Sequence, residues 1–235
     1  MRRLLRLLTV TLIIWSYAIE GNDVGQDIIM VNEDKCVTNS TIREFMDKYH
    51  NNLRRRVALG QEYQGKKFQE REMYGLIYDC KLEWIARKRT TQWKIDPYWE
   101  DGFGSVDFDG YYEGNLLDAL QVALDAQVKN RKSLHQMTKP RSVLFGCFVF
   151  YGRFSPSSNR EFLGSCVYHT VPKQRRKGNK KKSSKTKGKP CCEGPHCDEI
   201  RKCTIFENSK CFSHLCYVMI DGVHVRNLEY SASDE

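Results

Sequence analysis

Tyr49-His50-Asn51-Asn52-Leu53-Arg54 is the stretch on which the reading of this 235-residue chain turns. It sits inside a window where Ile42, Phe45, Met46, Tyr49, Leu53 and Val57 recur at spacings of three and four, the period of an amphipathic helix. Thr41-Ile42-Arg43-Glu44 has the form of a capping box and Gly60 supplies a stop, so the spacing predicts a helix from Thr41 to about Gly60.

Further along, a second helix is expected from near Asp79, with Leu82, Ile85, Ala86 and Trp93 on its inner face. A third follows Asn115, a good N-cap, with Leu117, Leu120, Leu124 and Val128 in one stripe. Between them, Lys94 to Gly114 is rich in aromatic residues, Gly and Asp and is expected as an irregular loop. The chemistry then changes. Ser142 to Tyr151 and Phe162 to Tyr168 are rich in Val, Phe and Tyr and flank a turn region from Gly152 to Arg160, the pattern of an antiparallel hairpin. Cys147 and Cys166 fall one on each strand, placed for a bridge across the pair. Helices before a strand pair predict an α+β fold, with helices packed on a small antiparallel sheet.

The N-terminus carries Arg2, Arg3 and Arg6 before an apolar run from Leu7 to Trp15 and the small-x-small triplet Ser16-Tyr17-Ala18, so residues 1–18 read as a secretory signal peptide. The run is shorter than a bilayer requires, and no transmembrane anchor is expected. Export places the ten cysteines in an oxidising compartment, where an even count permits five disulfides. Asn39-Ser40-Thr41 is a sequon, which makes Asn39 a candidate glycosylation site.

The net charge of +9 belongs mostly to one segment. Residues 173–189 hold Lys173, Arg175, Arg176, Lys177, Lys180, Lys181, Lys182, Lys185, Lys187 and Lys189, ten bases and no acid; the leader holds three more, and subtracting thirteen from +9 leaves −4. The remainder is mildly acidic, which excludes a nucleic-acid reading of the whole. The run lacks hydrophobic periodicity and reads as a disordered linker between residues 19–172 and a cysteine-dense extension at 190–235. As a solvated tether the run needs no partner; as a cationic patch it suits a glycosaminoglycan or an anionic lipid surface; its Lys173-Gln174-Arg175-Arg176 start resembles a dibasic processing site. Within the extension, Cys191, Cys192, Cys197, Cys203, Cys211 and Cys216 are expected to form three disulfides rather than a zinc module, and Tyr217 to Val225, with Asp221-Gly222 at its centre, reads as a tight hairpin.

Taken in order, several motifs resemble the CAP superfamily, also called SCP/TAPS, and in particular its nematode venom allergen-like and activation-associated secreted members. His50-Asn51-x-x-Arg54 is similar to the family's HNxxR helix, and Tyr78-Asp79-Cys80-x-Leu82-Glu83-x-x-Ala86 to the YDCxLExxA helix of the nematode members. Gln136-Met137 followed by Gly146-Cys147 keeps the spacing of the HxTQM to GC segment, and Cys166-x-Tyr168-x-x-x-Pro172 resembles the CxYxP strand end. The resemblance implies an α-β-α sandwich over residues 19–172 followed by a hinge-like cysteine-rich region.

It also implies a cleft holding two His and two Glu, able to bind a divalent metal or do acid-base work. Carried over by position, His50 matches the first His, Glu113 in Glu113-Gly114-Asn115 is an imperfect match for one Glu, the other Glu falls on Ala126 and the second His on Ser133, with His135 nearby. A tetrad reduced this far predicts no metal, no cofactor and no catalytic residue, and leaves His50 to be read as a helix residue hydrogen-bonded within the fold. Neither a GxSxG elbow nor an HExxH helix occurs, and Ser133, Ser142 and Ser165 read as ordinary serines. The expected protein is therefore a secreted, non-catalytic binding protein. The resemblance implies host-protein or lipid partners, sterols and fatty acids among them, and a role in host immune modulation. A glycosaminoglycan-binding protein and a residual metal-dependent hydrolase are the alternatives.

Overall fold

Asn39 starts the first helix. The computed structural model describes residues 29–91, 102–152, 160–171, 188–193, 197, 200–206 and 208–219. Among them the chain forms β1 (Met30–Val31), α1 (Ser40–Ala58), β2 (Ile77–Asp79), α2 (Cys80–Thr91), β3 (Phe103–Tyr112), α3 (Leu116–Lys129), α4 (Arg131–Met137), β4 (Ser142–Gly152), β5 (Arg160–Thr170), β6 (Ser209–Phe212) and β7 (Leu215–Val218). The Asn39 Oδ1 accepts the Thr41 N–H at 2.9 Å, so the cap lies two residues before the expected capping box. Gly60, at φ +68°, follows the C-terminus of α1 in the left-handed conformation that suits glycine. The inward positions are those the spacing predicts: Ile42, Met46, Tyr49, Leu53 and Val57 are all buried.

The sheet has the order β1-β2-β4-β5-β3. Its three long strands are antiparallel, and the short β1 and β2 extend it in parallel beyond β4. Met46, Leu53, Leu120 and Leu124 from α1 and α3 pack on the face carrying Phe145, Tyr168 and Phe162. Leu82 and Ala86 of α2 pack on the opposite face against Val167, Leu144 and Phe148. The result is the α-β-α sandwich. Gly146 permits the close approach of α2, because a Cβ there would run into the backbone at Asp79, Leu82 and Glu83.

One expectation is corrected. Within Lys94 to Gly114, residues 103–112 form β3, a ten-residue edge strand, and not an irregular loop. Its Val106 and Phe108 alternate inward while Asp107 and Asp109 point outward, and its glycines make room for neighbours: Gly104 lies against the Gln136 amide and Gly110 against the Phe162 ring. Gly and Asp lower strand propensity, but ten consecutive pairings with β5 override it. The extension also holds a hairpin that the sequence expectations do not include: Tyr217 and Val218 pair backward with Lys210 and Ser209 across a Ser213-His214 turn, both residues at positive φ. Residues 220–225 of the expected hairpin lie outside the described residues, as do the signal peptide and Trp93. Helix α4, capped by Asn130, has no counterpart in the sequence expectations.

The extension is fastened to the sandwich by hydrogen bonds and by Leu215 and Tyr217, which are buried in the main core, with no disulfide between the two. Cys36–Cys80 and Cys147–Cys166 lie in the sandwich, and Cys191–Cys211, Cys192–Cys197 and Cys203–Cys216 in the extension, as three bridges among its six cysteines. Glu72 is buried, its carboxylate accepting the N–H groups of Thr204 (2.7 Å) and Ile205 (3.2 Å) and the Thr204 hydroxyl, while its own N–H donates to the Gly188 carbonyl. The Tyr74 hydroxyl accepts the Phe206 N–H at 2.9 Å, and Cys216 bridges to the 73–75 backbone through its N–H and C=O.

Candidate functional site

His50 has no exposed surface. Its Nδ1 lies 2.7 Å from the Met46 carbonyl, which can only accept, so Nδ1 carries the proton and Nε2 accepts the Tyr168 hydroxyl at 2.7 Å. Burial pushes its pKa down to about 4, and the positive charge of Arg54 acts in the same direction. The imidazole is neutral at physiological pH with both nitrogens engaged. It therefore sits in the core, with no exposed surface.

The other letters of the HNxxR helix are structural as well. Asn51 pairs with both backbone groups of Leu76, accepting its N–H at 2.8 Å and donating to its carbonyl at 3.0 Å. Arg54, fully buried, donates to the carbonyls of Tyr74 (2.6 Å), Met137 (2.8 Å), Ser142 (3.0 Å) and Lys139 (3.1 Å). Burial pulls its pKa down to about 9, still well above neutrality, so the charge persists and is solvated by four carbonyl dipoles. Glu83 of the second motif is buried too, and its carboxylate accepts the N–H groups of Val37 and Thr38 and the Tyr78 hydroxyl.

The remaining cleft positions do not converge. Glu113 is exposed at the turn between β3 and α3, Ala126 is exposed on α3, Ser133 donates to Gln127 at 2.8 Å, and His135 is exposed. One residue from Ala126, however, Asp125 points inward. Its Oδ1 accepts the hydroxyls of Tyr49 (2.8 Å) and Tyr63 (2.7 Å), its Oδ2 accepts the Gln64 amide (2.9 Å), and Gln121 reaches both oxygens at 3.2 and 3.3 Å. This half-buried carboxylate ties α1, α3 and the 63–66 turn together. Sequence reasoning missed it, although Gln121 and Asp125 stand four apart beside the Leu120-Leu124-Val128 stripe, where such a pair meets on a helix.

A divalent cation needs several open ligand atoms, and the cleft positions among the described residues do not offer them. The Asp125 oxygens are occupied by hydroxyl and amide donors, and His50 is closed. Three further groupings among the described residues, His50 with Cys147 and Cys166, Glu83 with Cys36 and Cys80, and Cys191 with Cys203 and Cys216, depend on sulfurs already joined in disulfides. The serines are held in structural bonds: Ser142 bonds Thr170, and Ser165 donates to Asp107, which Arg89 grips at 2.7 and 2.6 Å. None of the three serines named above has an imidazole partner among the described residues.

Cys147 and Cys166 are cross-strand partners and bonded. Asn39 is exposed. Of the basic run, Lys189 is described and exposed; Lys173, Arg175, Arg176, Lys177, Lys180, Lys181, Lys182, Lys185 and Lys187 lie outside the described residues. Among the described residues no helix is long and apolar enough to cross a membrane.

No protein-family model and no curated protein sequence matches the chain. Solved structures do. Manganese-bound Ac-ASP-7 is 32% identical over 81% of this chain and 95% of its own, with a TM-score of 0.61. A second structure, Ancylostoma-secreted protein Ac-ASP-7, gives 31% identity over 81% and 96%, with a TM-score of 0.59. Na-ASP-1, at 21% identity, 79% of this chain and 47% of its own, shares the fold with a TM-score of 0.53. The five disulfides and the secreted relatives suggest an extracellular protein. With its HNxxR helix buried in the α-β-α sandwich and a relative this similar along nearly its whole length, the chain belongs to the CAP superfamily, in the nematode ASP and venom allergen-like group.

Proposed function

We propose that the chain acts as an exported, non-catalytic binding protein of the parasite-effector kind, recognising a host protein or a lipid of the sterol or fatty-acid class. The observation that supports this is His50: the histidine carried over from the family's cleft has both nitrogens engaged and no exposed surface, and the nearby Asp125 carboxylate is held by two tyrosines and two glutamines. A scaffold kept while its reactive groups are closed is suited to recognition by shape. One relative carries manganese, but the donor set here lacks open ligands, and purified protein is expected to bind neither manganese nor zinc stoichiometrically. Native mass spectrometry after metal loading and a fluorescent sterol titration test the reading together. It is overturned by a metal-dependent hydrolysis that His50→Gln abolishes.

A second reading is favoured by the basic run, ten cationic residues in seventeen. Spaced bases of this density bind sulfated polysaccharides with a strong salt dependence. Heparin elution should then move to lower salt when 173–187 is replaced by a Gly/Ser segment of equal length; unchanged elution removes this reading.

A further inference from the structure

Among the described residues three helices are capped by asparagine, Asn39, Asn115 and Asn130, and in each the side-chain oxygen accepts an N–H two residues on, at 2.9, 3.0 and 2.9 Å. The cap uses Oδ1 alone. Of the three, Asn39 is the one followed by x-Thr. Asn39, Ser40 and Thr41 are all exposed, the Asn39 carbonyl accepts the Arg43 N–H at 3.0 Å, and Asn39 Nδ2 has no partner among the described residues.

We propose that Asn39 is N-glycosylated and that the sugar is compatible with the helix cap, because the two demands fall on different atoms of one amide. The transfer takes a lipid-linked oligosaccharide diphosphate as co-reactant. The Nδ2–C1 bond forms, the bond from C1 to the diphosphate oxygen breaks, the lipid diphosphate leaves, and Nδ2 gives up one proton. The Oδ1 acceptor is untouched. The glycan projects from the N-terminal end of α1, beside the exposed Val37, and a protein partner must approach another part of the surface. This inference rests on export, which the experiment reads separately.

The full chain is expressed in a eukaryotic secretory host, and protein in the medium is analysed by intact mass before and after amidase deglycosylation. The expected result is one glycan, lost in both Ser40→Pro and Thr41→Ala. Ser40→Pro is informative because proline at the first helical position suits the helix while abolishing the sequon. Deglycosylation converts Asn39 to Asp, an equally good cap, and should leave the Tm unchanged, whereas Asn39→Ala should lower it by roughly 3 °C. Secreted protein with an unmodified Asn39 overturns the proposal while export stands. Protein that stays in the cytosol overturns both, and a Tm drop on deglycosylation equal to that of Asn39→Ala overturns the separation of cap and glycan.

Discussion

Arg54 and Glu72 are both buried charges satisfied by backbone from distant parts of the chain, yet they serve regions of different strength. Arg54 lies within the sandwich, where α1 and α3 close a large apolar core on the sheet. Glu72 holds the extension, whose Leu215 and Tyr217 enter that same core while Tyr74, Val143, Cys191 and Cys216 form a smaller cluster beside it. The sandwich is stabilised mainly by area removed from water, and the extension by three disulfides, a few polar contacts and the burial of Leu215 and Tyr217 in the sandwich core. The contrast shows that a buried charge matters in proportion to how many segments converge on it.

Removing the guanidinium should break the sandwich. Arg54→Leu leaves four carbonyls from three segments without a donor, and a loss of about 4 kcal/mol is expected in chemical denaturation, with a single cooperative transition. An Arg54→Leu protein of unchanged midpoint would mean that water replaces the guanidinium.

The acid limb of the stability curve comes next. His50 has a pKa near 6.5 unfolded and about 4 folded, so below pH 6.5 the unfolded chain takes up the proton first. Stability is complete above 6.5 and declines as pH falls to about 4, by roughly 3 kcal/mol. Asp47 opposes it: burial raises its carboxyl from 3.8 to about 7, so its contribution is present below 3.8 and lost as pH rises through 7. Asp47 keeps some contact with solvent, which discounts its share. Denaturation of Asp47→Asn and of the Asp47→Asn/His50→Gln double variant from pH 7 to 4 isolates the histidine. The single variant should lose stability on acidification, and parallel curves would show that His50 is not the titrating group.

Glu72→Gln has the smallest global effect, about 2 kcal/mol, because an amide accepts on one atom where the carboxylate accepted on two. Its signature is local: faster hydrogen exchange at Thr204, Ile205 and Phe206, with the sandwich amides unchanged. Equal acceleration in α1 would mean that sandwich and extension unfold as one unit.

Much of this was readable from local pattern. The buried stripe of α1, the Asn115 cap, the β4–β5 hairpin, the Cys147–Cys166 bridge across it and the three bridges of the extension all follow from periodicity, turn chemistry or cysteine arithmetic. The errors have physical causes. β3 looked like a loop because its Gly and Asp residues are poor strand formers, and ten pairings with β5 decide otherwise. The 209–218 hairpin was missed because Ser213-His214 takes the positive-φ turn that Asp-Gly would have signalled. Asp125 was missed because its partners Tyr49, Tyr63 and Gln64 lie 61 to 76 residues away.

The sequence by itself determined the scaffold, since helix stripes, strand runs and capping asparagines are satisfied within one turn or one strand pair. Tertiary structure alone decided the chemical state of the site. Whether His50 is a ligand or a core residue depends on what closes over it. Met46 and Tyr168 do so from positions 4 and 118 residues away, and the same burial that neutralises the imidazole leaves it no exposed surface.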